Sequence, residues 1–285
     1  MSHKQPQYIN LNGALMDLST PRVMGILNLT PDSFFGGSRM QTAEQVVGRI
    51  EQLRSEGADM VDVGACSTRP GASQPSLQEE MDRLRKGLSL IREVWPEAVL
   101  SVDTYRSQVA RMCVEEFGVA IVNDISAGQM DGEMFPTIAQ LGVPYVMTHM
   151  QGTPETMQQH PHYQHILKEV CLFFAKRIDA LRKLGAKDII LDPGFGFGKT
   201  LEHNYQLLAN LHELSLLNLP LLVGVSRKSM VYKLLETTPD EALNGTTSLH
   251  TIALLKGANI LRVHDVKEAR QAVTIVGKLE ENLHI

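Results

Sequence analysis

Polar side chains recur at the ends of short apolar runs in this 285-residue chain. The runs have the length of β-strands, and their last residues are the ones that can bind or react. In chain order these residues are Asn28, Asp62, Asp103, Asn123 with Asp124, His149, Asp192, Ser226-Arg227-Lys228, and Arg262 with His264. Strand ends are often polar, but eight successive runs that all end this way indicate one shared site.

These residues fall into two chemical groups. Carboxylate and amide atoms can hold the ring N–H and amino groups of a flat heterocycle, and this group consists of Asp62, Asp103, Asn123 and Asp192. Basic side chains suit phosphate or diphosphate, and this group consists of Arg69, Lys228, Arg262 and His264. Together the two groups indicate a substrate with a heteroaromatic end and an anionic end.

Eight predicted strands position these side chains, at residues 23–28, 60–64, 99–103, 120–125, 145–149, 189–192, 221–225 and 260–264. Segments of helical period separate or follow them, at residues 43–56, 77–94, 108–116, 166–184, 204–211, 242–256 and 266–279. The strands are apolar almost to their ends, as parallel strands covered by helices are. Eight such units favour a single α/β domain of the (β/α)8 TIM barrel class over an open doubly wound sheet.

The barrel is predicted over residues 21–285, after an N-terminal hairpin segment at residues 1–20. Asn12-Gly13 lies between two alternating runs, at residues 8–11 and 14–18, and this dipeptide favours a tight hairpin turn because both residues tolerate positive φ. We expect the hairpin to close the bottom of the barrel.

The composition excludes several other classes of protein. Hydrophobic residues make up 43% of the chain and charged residues 21%, with a net charge of −5, which argues against disorder and against broad attraction to nucleic acid or anionic lipid. No apolar run approaches the ~18 residues of a membrane helix. The three cysteines, Cys66, Cys113 and Cys171, include no CxxC pair, and residues 1–8 lack a signal-peptide core. A cytoplasmic location is therefore expected.

Two local motifs permit competing interpretations. Residues 192–200 (DPGFGFGKT) look phosphate-binding, but Pro193 occupies the place of the first glycine of a Walker A loop, so a turn on which Phe197 covers a ligand is favoured. His160, His162 and His165 lie close together, but their spacing fits no common metal site, so a solvated loop is favoured.

At this level of detail the chain resembles the dihydropteroate synthase family over essentially its full length. Five segments carry the resemblance: residues 24–34 (MGILNLTPDSF), residues 62–64 (DVG) with 67–71 (STRPG), residues 101–104 (SVDT), residues 191–199 (LDPGFGFGK), and residues 226–229 (SRKS) with 262–265 (RVHD). The resemblance implies condensation of (7,8-dihydropterin-6-yl)methyl diphosphate with 4-aminobenzoate to give 7,8-dihydropteroate and diphosphate. It also implies Mg²⁺ as cofactor and a homodimer.

The resemblance assigns roles to individual residues. Asp103, Asp192 and Lys228 are implied as catalytic, and the pterin-binding set is Asp103, Asn123, Met147, Asp192 and Lys228. Diphosphate binding is implied for Thr68, Arg69, Arg262 and His264, with Asn28 on Mg²⁺. The aminobenzoate set is Thr68, Arg69, Pro70, Phe197, Ser226, Lys228 and Ser229. The implied mechanism breaks the C–O bond first and leaves a cation that the buried carboxylates stabilise.

The chain departs from the family pattern at two points. Residues 35–38 (FGGS) lack an acidic residue common in the first loop, and Cys66 replaces a common Glu. Two alternatives to the synthase are a methyltransferase that uses methyltetrahydrofolate with a corrinoid partner, and an inactive paralogue that binds pterin and acts through a partner protein. The STRP, SRKS and Arg262/His264 features disfavour the first alternative, and the intact set of catalytic side chains disfavours the second.

Overall fold

The computed structural model describes residues 7–29, 43–66 and 74–282. The strands of this part are β1 (Tyr8–Leu11), β2 (Ala14–Asp17), β3 (Arg22–Asn28), β4 (Met60–Gly64), β5 (Leu100–Asp103), β6 (Ile121–Asp124), β7 (Tyr145–Thr148), β8 (Ile189–Asp192), β9 (Leu222–Val223) and β10 (Ile260–Val263). The helices are α1 (Ala43–Ser55), α2 (Leu77–Val94), α3 (Ser107–Phe117), α4 (Met134–Leu141), α5 (Ile166–Lys183), α6 (Leu201–Ala209), α7 (Ser229–Tyr232), α8 (Leu243–Leu255) and α9 (Val266–Asn282), with a 3-10 segment at Leu211–Leu217.

Strands β3 to β10 form one parallel sheet in the order β8-β7-β6-β5-β4-β3-β10-β9. The sheet closes on itself because Leu191 of β8 pairs with Leu221, just before β9. The Leu191 N–H donates to the Pro220 carbonyl over 2.8 Å at this seam. The predicted eight-stranded barrel is thereby confirmed.

Side chains of the strands alternate between the helices and the interior of the barrel, which we call the lumen. In β4, Val61 and Val63 belong to the large apolar cluster between strands and helices. Met60 instead belongs to a smaller apolar group, the lower cluster, which consists of Ile9, Leu11, Leu18, Met24, Met60, Ala120, Ile121, Val146, Ile190, Leu222 and Ile260. This cluster fills the lumen at the amino ends of the strands.

The N-terminal hairpin covers this end of the barrel. Strands β1 and β2 pair around Asn12 and Gly13, whose φ angles of 52° and 96° are both positive, as in a type I′ turn. Ile9, Leu11 and Leu18 insert into the lower cluster. The predicted hairpin and its position at the barrel bottom are confirmed.

The helices differ from the sequence predictions at a few positions. Helix α4 was not predicted, because it is short and contains Pro136, which the first turn of a helix tolerates. Helix α6 begins at Leu201 rather than at residue 204, because Thr200 and His203 form a capping box at its start. Strand β9 has only two residues, fewer than the five predicted. Within the described ranges, the helices lack the combination of length and apolar character that crossing a membrane requires.

Candidate active site

A polar layer lies in the lumen directly above the lower cluster. On four strands, a polar residue follows a residue of the lower cluster by two positions. The pairs are Met60 and Asp62, Ile121 and Asn123, Ile190 and Asp192, and Ile260 and Arg262. Residues two apart on a strand share a face, so these polar groups project into the lumen toward the carboxyl ends of the strands. An apolar residue followed two positions later by a polar residue, repeated on several strands, therefore places a polar site directly above the lower cluster.

Asp62 organises this layer. One of its carboxylate oxygens, Oδ2, accepts a hydrogen bond from Arg262 Nε at 2.6 Å and another from Asn123 Nδ2 at 3.0 Å. Arg262 Nη2 also donates to Asp103 Oδ2 at 2.7 Å. The guanidinium is thus held between two carboxylates, and the amide nitrogen of Asn123 is occupied, which leaves its carbonyl oxygen for a ligand N–H.

Burial shifts the protonation of the carboxyl groups in this layer. The pKa of Asp103 is raised to about 7 because burial disfavours the carboxylate, and this effect outweighs the attraction of Arg262. Burial also raises the pKa of Asp192, against the opposing charge of Lys228. Asp192 Oδ1 accepts the N–H of Gly194 at 2.8 Å, which fixes its rotamer. The Asp103 carboxyl group can therefore exchange a proton with a heterocycle near neutral pH.

Lys228 follows β9 and reaches back over the polar layer. Its Nζ donates to the carbonyl of Phe195 at 2.6 Å and lies 4.7 Å from the centre of the Phe197 ring. Burial lowers the pKa of Lys228 to about 8, although Asp192 counteracts that shift. Lys228 thus lies between the carboxylate of Asp192 and the aromatic face of Phe197, with Ser229 next to it at the start of α7.

His264 lies beyond the end of β10 and is held by Ser226. The Ser226 hydroxyl is 3.0 Å from His264 Nδ1 and accepts the backbone N–H of His264 at 3.2 Å. Burial and the nearby Arg262 lower the pKa of His264 to about 4, so the ring is neutral at pH 7. Ser226, predicted to contact aminobenzoate, thus also orients this histidine. The implied cationic clamp of Arg262 and His264 is, in this structure, a carboxylate-paired guanidinium and a neutral ring.

Asn28 ends β3 in register with Gly64 of β4. A Cβ atom added at Gly64 would lie 3.6 Å from Asn28 Oδ1 and 3.5 Å from Asp103 Cβ. The missing side chain of Gly64 therefore leaves room between the Asn28 amide and the Asp103 carboxylate. Among the described residues, no three His, Cys, Asp or Glu are grouped as metal ligands.

One predicted pocket residue faces the wrong way. Met147 belongs to the apolar cluster between strands and helices, as does Tyr145 on the same face of β7. Alternation turns Val146 and Thr148 toward the lumen instead, and Val146 is indeed part of the lower cluster. Thr148 therefore takes the lumen position that the sequence analysis gave to Met147. The Thr148 hydroxyl is buried and has no hydrogen-bond partner, which marks it as a candidate ligand contact. The sequence alone does not show this, because it does not show which hydroxyl groups lack partners.

Phe197 stands on the loop that follows β8, and this loop fits closely against the end of β7. A Cβ atom at Gly194, where φ is +71°, would collide with the carbonyl oxygen of His149. His149 itself contacts the rings of Tyr163 and Phe173, so it packs rather than facing the lumen. Thr68, Arg69 and Pro70, together with residues 35–38, lie outside the described residues.

Comparisons with known proteins agree with this geometry. The family model described as pterin binding enzyme matches residues 24–264. The dihydropteroate synthase of Escherichia coli strain K12 is 44% identical to this chain over 269 residues, which are 93% of each protein. That of Haemophilus influenzae is 40% identical and covers 90% of this chain and 92% of its own length.

Solved structures are similar over nearly the whole chain. A Yersinia pestis dihydropteroate synthase in complex with a sulfonamide drug superposes with a TM-score of 0.90 at 41% identity, covering 96% of this chain and 99% of its own. A Xanthomonas albilineans dihydropteroate synthase with 4-aminobenzoic acid superposes with a TM-score of 0.87 at 37% identity, covering 97% of this chain and 99% of its own.

Proposed function

The chain belongs to the pterin-binding enzyme family and, within it, to the dihydropteroate synthases, and on that premise we propose how its side chains divide the reaction. The enzyme is a transferase of folate biosynthesis, which condenses (7,8-dihydropterin-6-yl)methyl diphosphate with 4-aminobenzoate. The products are 7,8-dihydropteroate and diphosphate. Of the alternatives considered from the sequence, neither the corrinoid-linked methyltransferase nor the inactive paralogue gains support from the similar proteins.

The pterin end of the substrate binds in the polar layer of the lumen. Asp103, Asn123 and Asp192 hold the ring N–H and amino groups, and Thr148 joins them in place of Met147. The observation that carries this proposal is the hydrogen bonding of Asp62. Its Oδ2 atom accepts hydrogen bonds from Asn123 Nδ2 at 3.0 Å and from Arg262 Nε at 2.6 Å, so both side chains are held in place without a ligand. A preorganised set of buried acceptors favours a heterocycle that satisfies all of them.

4-Aminobenzoate binds above the pterin, against Phe197 and beside Lys228 and Ser229. The ring of Phe197 offers an aromatic face, and the Lys228 ammonium offers a charge for the carboxylate or for a pterin acceptor. Ser226 and the residues Thr68, Arg69 and Pro70 complete this end. Lys228 therefore bridges the two substrates.

The diphosphate leaves on the side of Asn28 and His264. The His264 ring, held by Ser226, donates a hydrogen bond to a diphosphate oxygen, and Arg262, Thr68 and Arg69 complete the anion site. Mg²⁺, when bound, would be held by the Asn28 amide oxygen and mainly by substrate oxygens and water, and would offset the charge of the leaving group. The absence of an acidic ligand cluster among the described residues suits a cation that arrives with the diphosphate.

The reaction exchanges one bond for another at the exocyclic carbon. The C–O bond to diphosphate breaks, and the carboxylates of Asp103 and Asp192 stabilise the positive charge that spreads into the pterin ring. The amine nitrogen of 4-aminobenzoate then forms the C–N bond and loses one proton to water. This side-chain set contains no activated Ser or Cys nucleophile, so no covalent enzyme intermediate is proposed.

The enzyme is also proposed to act as a homodimer through α8 and α9. These helices pack side by side and expose four large apolar side chains, Ile252, Leu255, Ile275 and Leu279. Sedimentation at micromolar concentration should show a dimer, and Ile275→Lys should shift it to monomer. The matched control Leu216→Lys, which alters a more exposed leucine on the 3-10 segment, should stay dimeric. A cytoplasmic location stays a prediction from the sequence.

The decisive test is diphosphate release by the purified protein. Pterin diphosphate and Mg²⁺ are supplied with and without 4-aminobenzoate, and both diphosphate and dihydropteroate are measured. Stoichiometric release that depends on 4-aminobenzoate is expected. A folded protein that binds the pterin yet releases no diphosphate contradicts the proposed reaction.

A further inference from the structure

The conspicuous lysine of the glycine-rich segment, Lys199, points into its own loop. We call residues 193–199 the β8 loop. Lys199 is only 4% exposed, and its Nζ lies 2.9 Å from the Gly194 carbonyl oxygen and 3.1 Å from that of Phe197. The same ammonium lies 2.9 Å from His149 Nδ1 and 3.3 Å from the His149 carbonyl oxygen. One buried cation therefore joins both ends of the β8 loop to the end of β7.

Three more carbonyl groups of the loop are held as well. Lys228 Nζ binds the Phe195 carbonyl at 2.6 Å, Gln158 Nε2 binds that of Gly196 at 2.7 Å, and the Tyr163 hydroxyl binds that of Gly198 at 2.8 Å. A phosphate-binding glycine loop presents N–H groups to its ligand. The β8 loop instead turns its carbonyls toward side-chain donors, of which the ammonium groups of Lys199 and Lys228 are two.

The β8 loop positions two side chains at the aminobenzoate end of the site, Lys228 and Phe197. The Phe195 carbonyl receives the Lys228 ammonium, and the Phe197 ring lies beneath the same ammonium. Lys199 binds the carbonyl of Phe197 itself and that of Gly194, which precedes Phe195. The position of Lys228 relative to Phe197 therefore depends on a second lysine, whose ammonium is directed into the loop.

We propose that Lys199 is a positioning residue of the synthase, which fixes the β8 loop so that Phe197 and Lys228 form the aminobenzoate end of the site. This inference rests on the proposed roles of Phe197 and Lys228. Burial lowers the pKa of Lys199 to about 7, while the charge of Asp192 opposes that shift, so the loop contacts offset a substantial desolvation penalty. This penalty is consistent with a buried ammonium whose role is to fix the conformation of the β8 loop.

Steady-state kinetics of Lys199→Met test the proposal, because methionine keeps the unbranched apolar stem of the side chain and removes the ammonium. The KM for 4-aminobenzoate should rise by about tenfold, the size of a lost charge-assisted hydrogen bond, while the KM for pterin diphosphate changes by less than about twofold. Lys187→Met is the matched control, since Lys187 is exposed at the opposite end of β8, and it should leave both constants unchanged. Equal rises in both KM values, or no rise in a folded variant, would overturn the proposal.

A second variant keeps the proposal testable if Lys199→Met does not fold. Tyr163→Phe removes only the hydroxyl that binds the Gly198 carbonyl. It should raise the KM for 4-aminobenzoate selectively by about threefold, as expected for one neutral hydrogen bond. Hydrogen exchange at the amides of the β8 loop should accelerate in both variants, and unchanged exchange contradicts the proposal. Turnover by the unmodified enzyme and its loss in Lys228→Ala test the proposed function separately.

Discussion

Two buried carboxylates on strands β4 and β6, which flank β5 in the barrel, differ in how many hydrogen bonds they accept. Asp124 of β6 accepts four hydrogen bonds, from the N–H and hydroxyl of Ser126 at 2.7 Å each, from Gly128 N at 2.7 Å and from the Tyr145 hydroxyl at 2.6 Å. Asp62 of β4 accepts two hydrogen bonds on Oδ2, and its buried Oδ1 has no partner. Both side chains are fully buried.

The difference separates a carboxylate that supports the fold from one that serves the site. Asp124 is saturated by its own loop and by Tyr145 and faces the helices. Asp62 keeps an acceptor open in the lumen, as do the hydroxyls of Ser101 and Thr148, which are also buried without partners. A buried polar atom without a partner costs free energy, so a site that retains three of them is prepared for ligand or ordered water. The balance of hydrogen bonds distinguishes the two roles where residue type does not.

The largest effect should come from a lumen group that leaves hydrogen-bonding capacity to substrates. Lys228→Ala should lower kcat/KM by at least about 10³-fold, because the ammonium stabilises charge at both substrates in a water-poor site. Coupled diphosphate release measures the loss. Lys187→Met serves as control, and circular dichroism should show an intact barrel. Full turnover in folded Lys228→Ala would remove Lys228 from the site.

For Asp124, whose carboxylate already accepts four hydrogen bonds, Asp124→Asn should lower the stability of the fold rather than the rate of the reaction. One amide NH₂ would replace an oxygen among four donors, which should lower the free energy of unfolding by about 1–3 kcal/mol. Urea unfolding measures that change, and kcat/KM below the unfolding transition should change little. A large loss of kcat/KM with unchanged stability would reverse the assignment of Asp124.

The sequence predicted the barrel because strand and helix periods alternate cleanly and each strand ends in a polar group. It predicted Asp103, Asn123 and Asp192 at strand ends that converge on one mouth, and in the structure all three follow lower-cluster or lumen positions by two residues. It named Asp124 beside Asn123 as a strand-end residue but left it out of the group expected to hold a heterocycle. The resemblance implied Met147 as a pterin contact, but Thr148 faces the lumen instead, because a single step along a strand reverses the face.

The long-range contacts could not be predicted. Arg262 meets Asp62 across 200 residues of sequence, and Lys199 meets His149 across 50. Nothing in the local pattern distinguishes an arginine that faces an anion from one that lies between two carboxylates. The glycine-rich segment suggested a turn, but only the structure reveals that three of its carbonyl groups accept hydrogen bonds from lysines.

The raised pKa of Asp103, at about 7, predicts a pH dependence that Asp103→Asn should remove. In the unfolded chain an aspartate titrates near ~3.9. Between these two values the folded state binds more protons than the unfolded state, so this group's contribution to stability is present below about pH 4 and is lost as the pH rises through about 7. The free energy of unfolding of the unmodified protein relative to Asp103→Asn should therefore fall across that interval. A constant difference would mean that Asp103 stays ionised in the fold.

The smallest effect should come from Thr148→Val, which replaces a partnerless hydroxyl by a methyl group of similar size. No hydrogen bond within the described part of the protein is lost, so the free energy of unfolding should change by less than about 0.5 kcal/mol. The KM for pterin diphosphate should rise by about threefold, because the hydroxyl pairs with the pterin or with a water that bridges to it.

Thr104→Val is the matched control for this variant, because the Thr104 hydroxyl donates to Glu80 Oε1 at 2.7 Å outside the polar layer. Its loss should cost about 1–2 kcal/mol of stability, since it leaves a buried glutamate less satisfied, and should leave the KM for pterin diphosphate unchanged. The two threonines thus repeat, at smaller scale, the contrast between Asp62 and Asp124. If Thr148→Val destabilised the fold as much as Thr104→Val and left the KM unchanged, an open hydrogen-bonding atom in the lumen would no longer indicate a ligand contact.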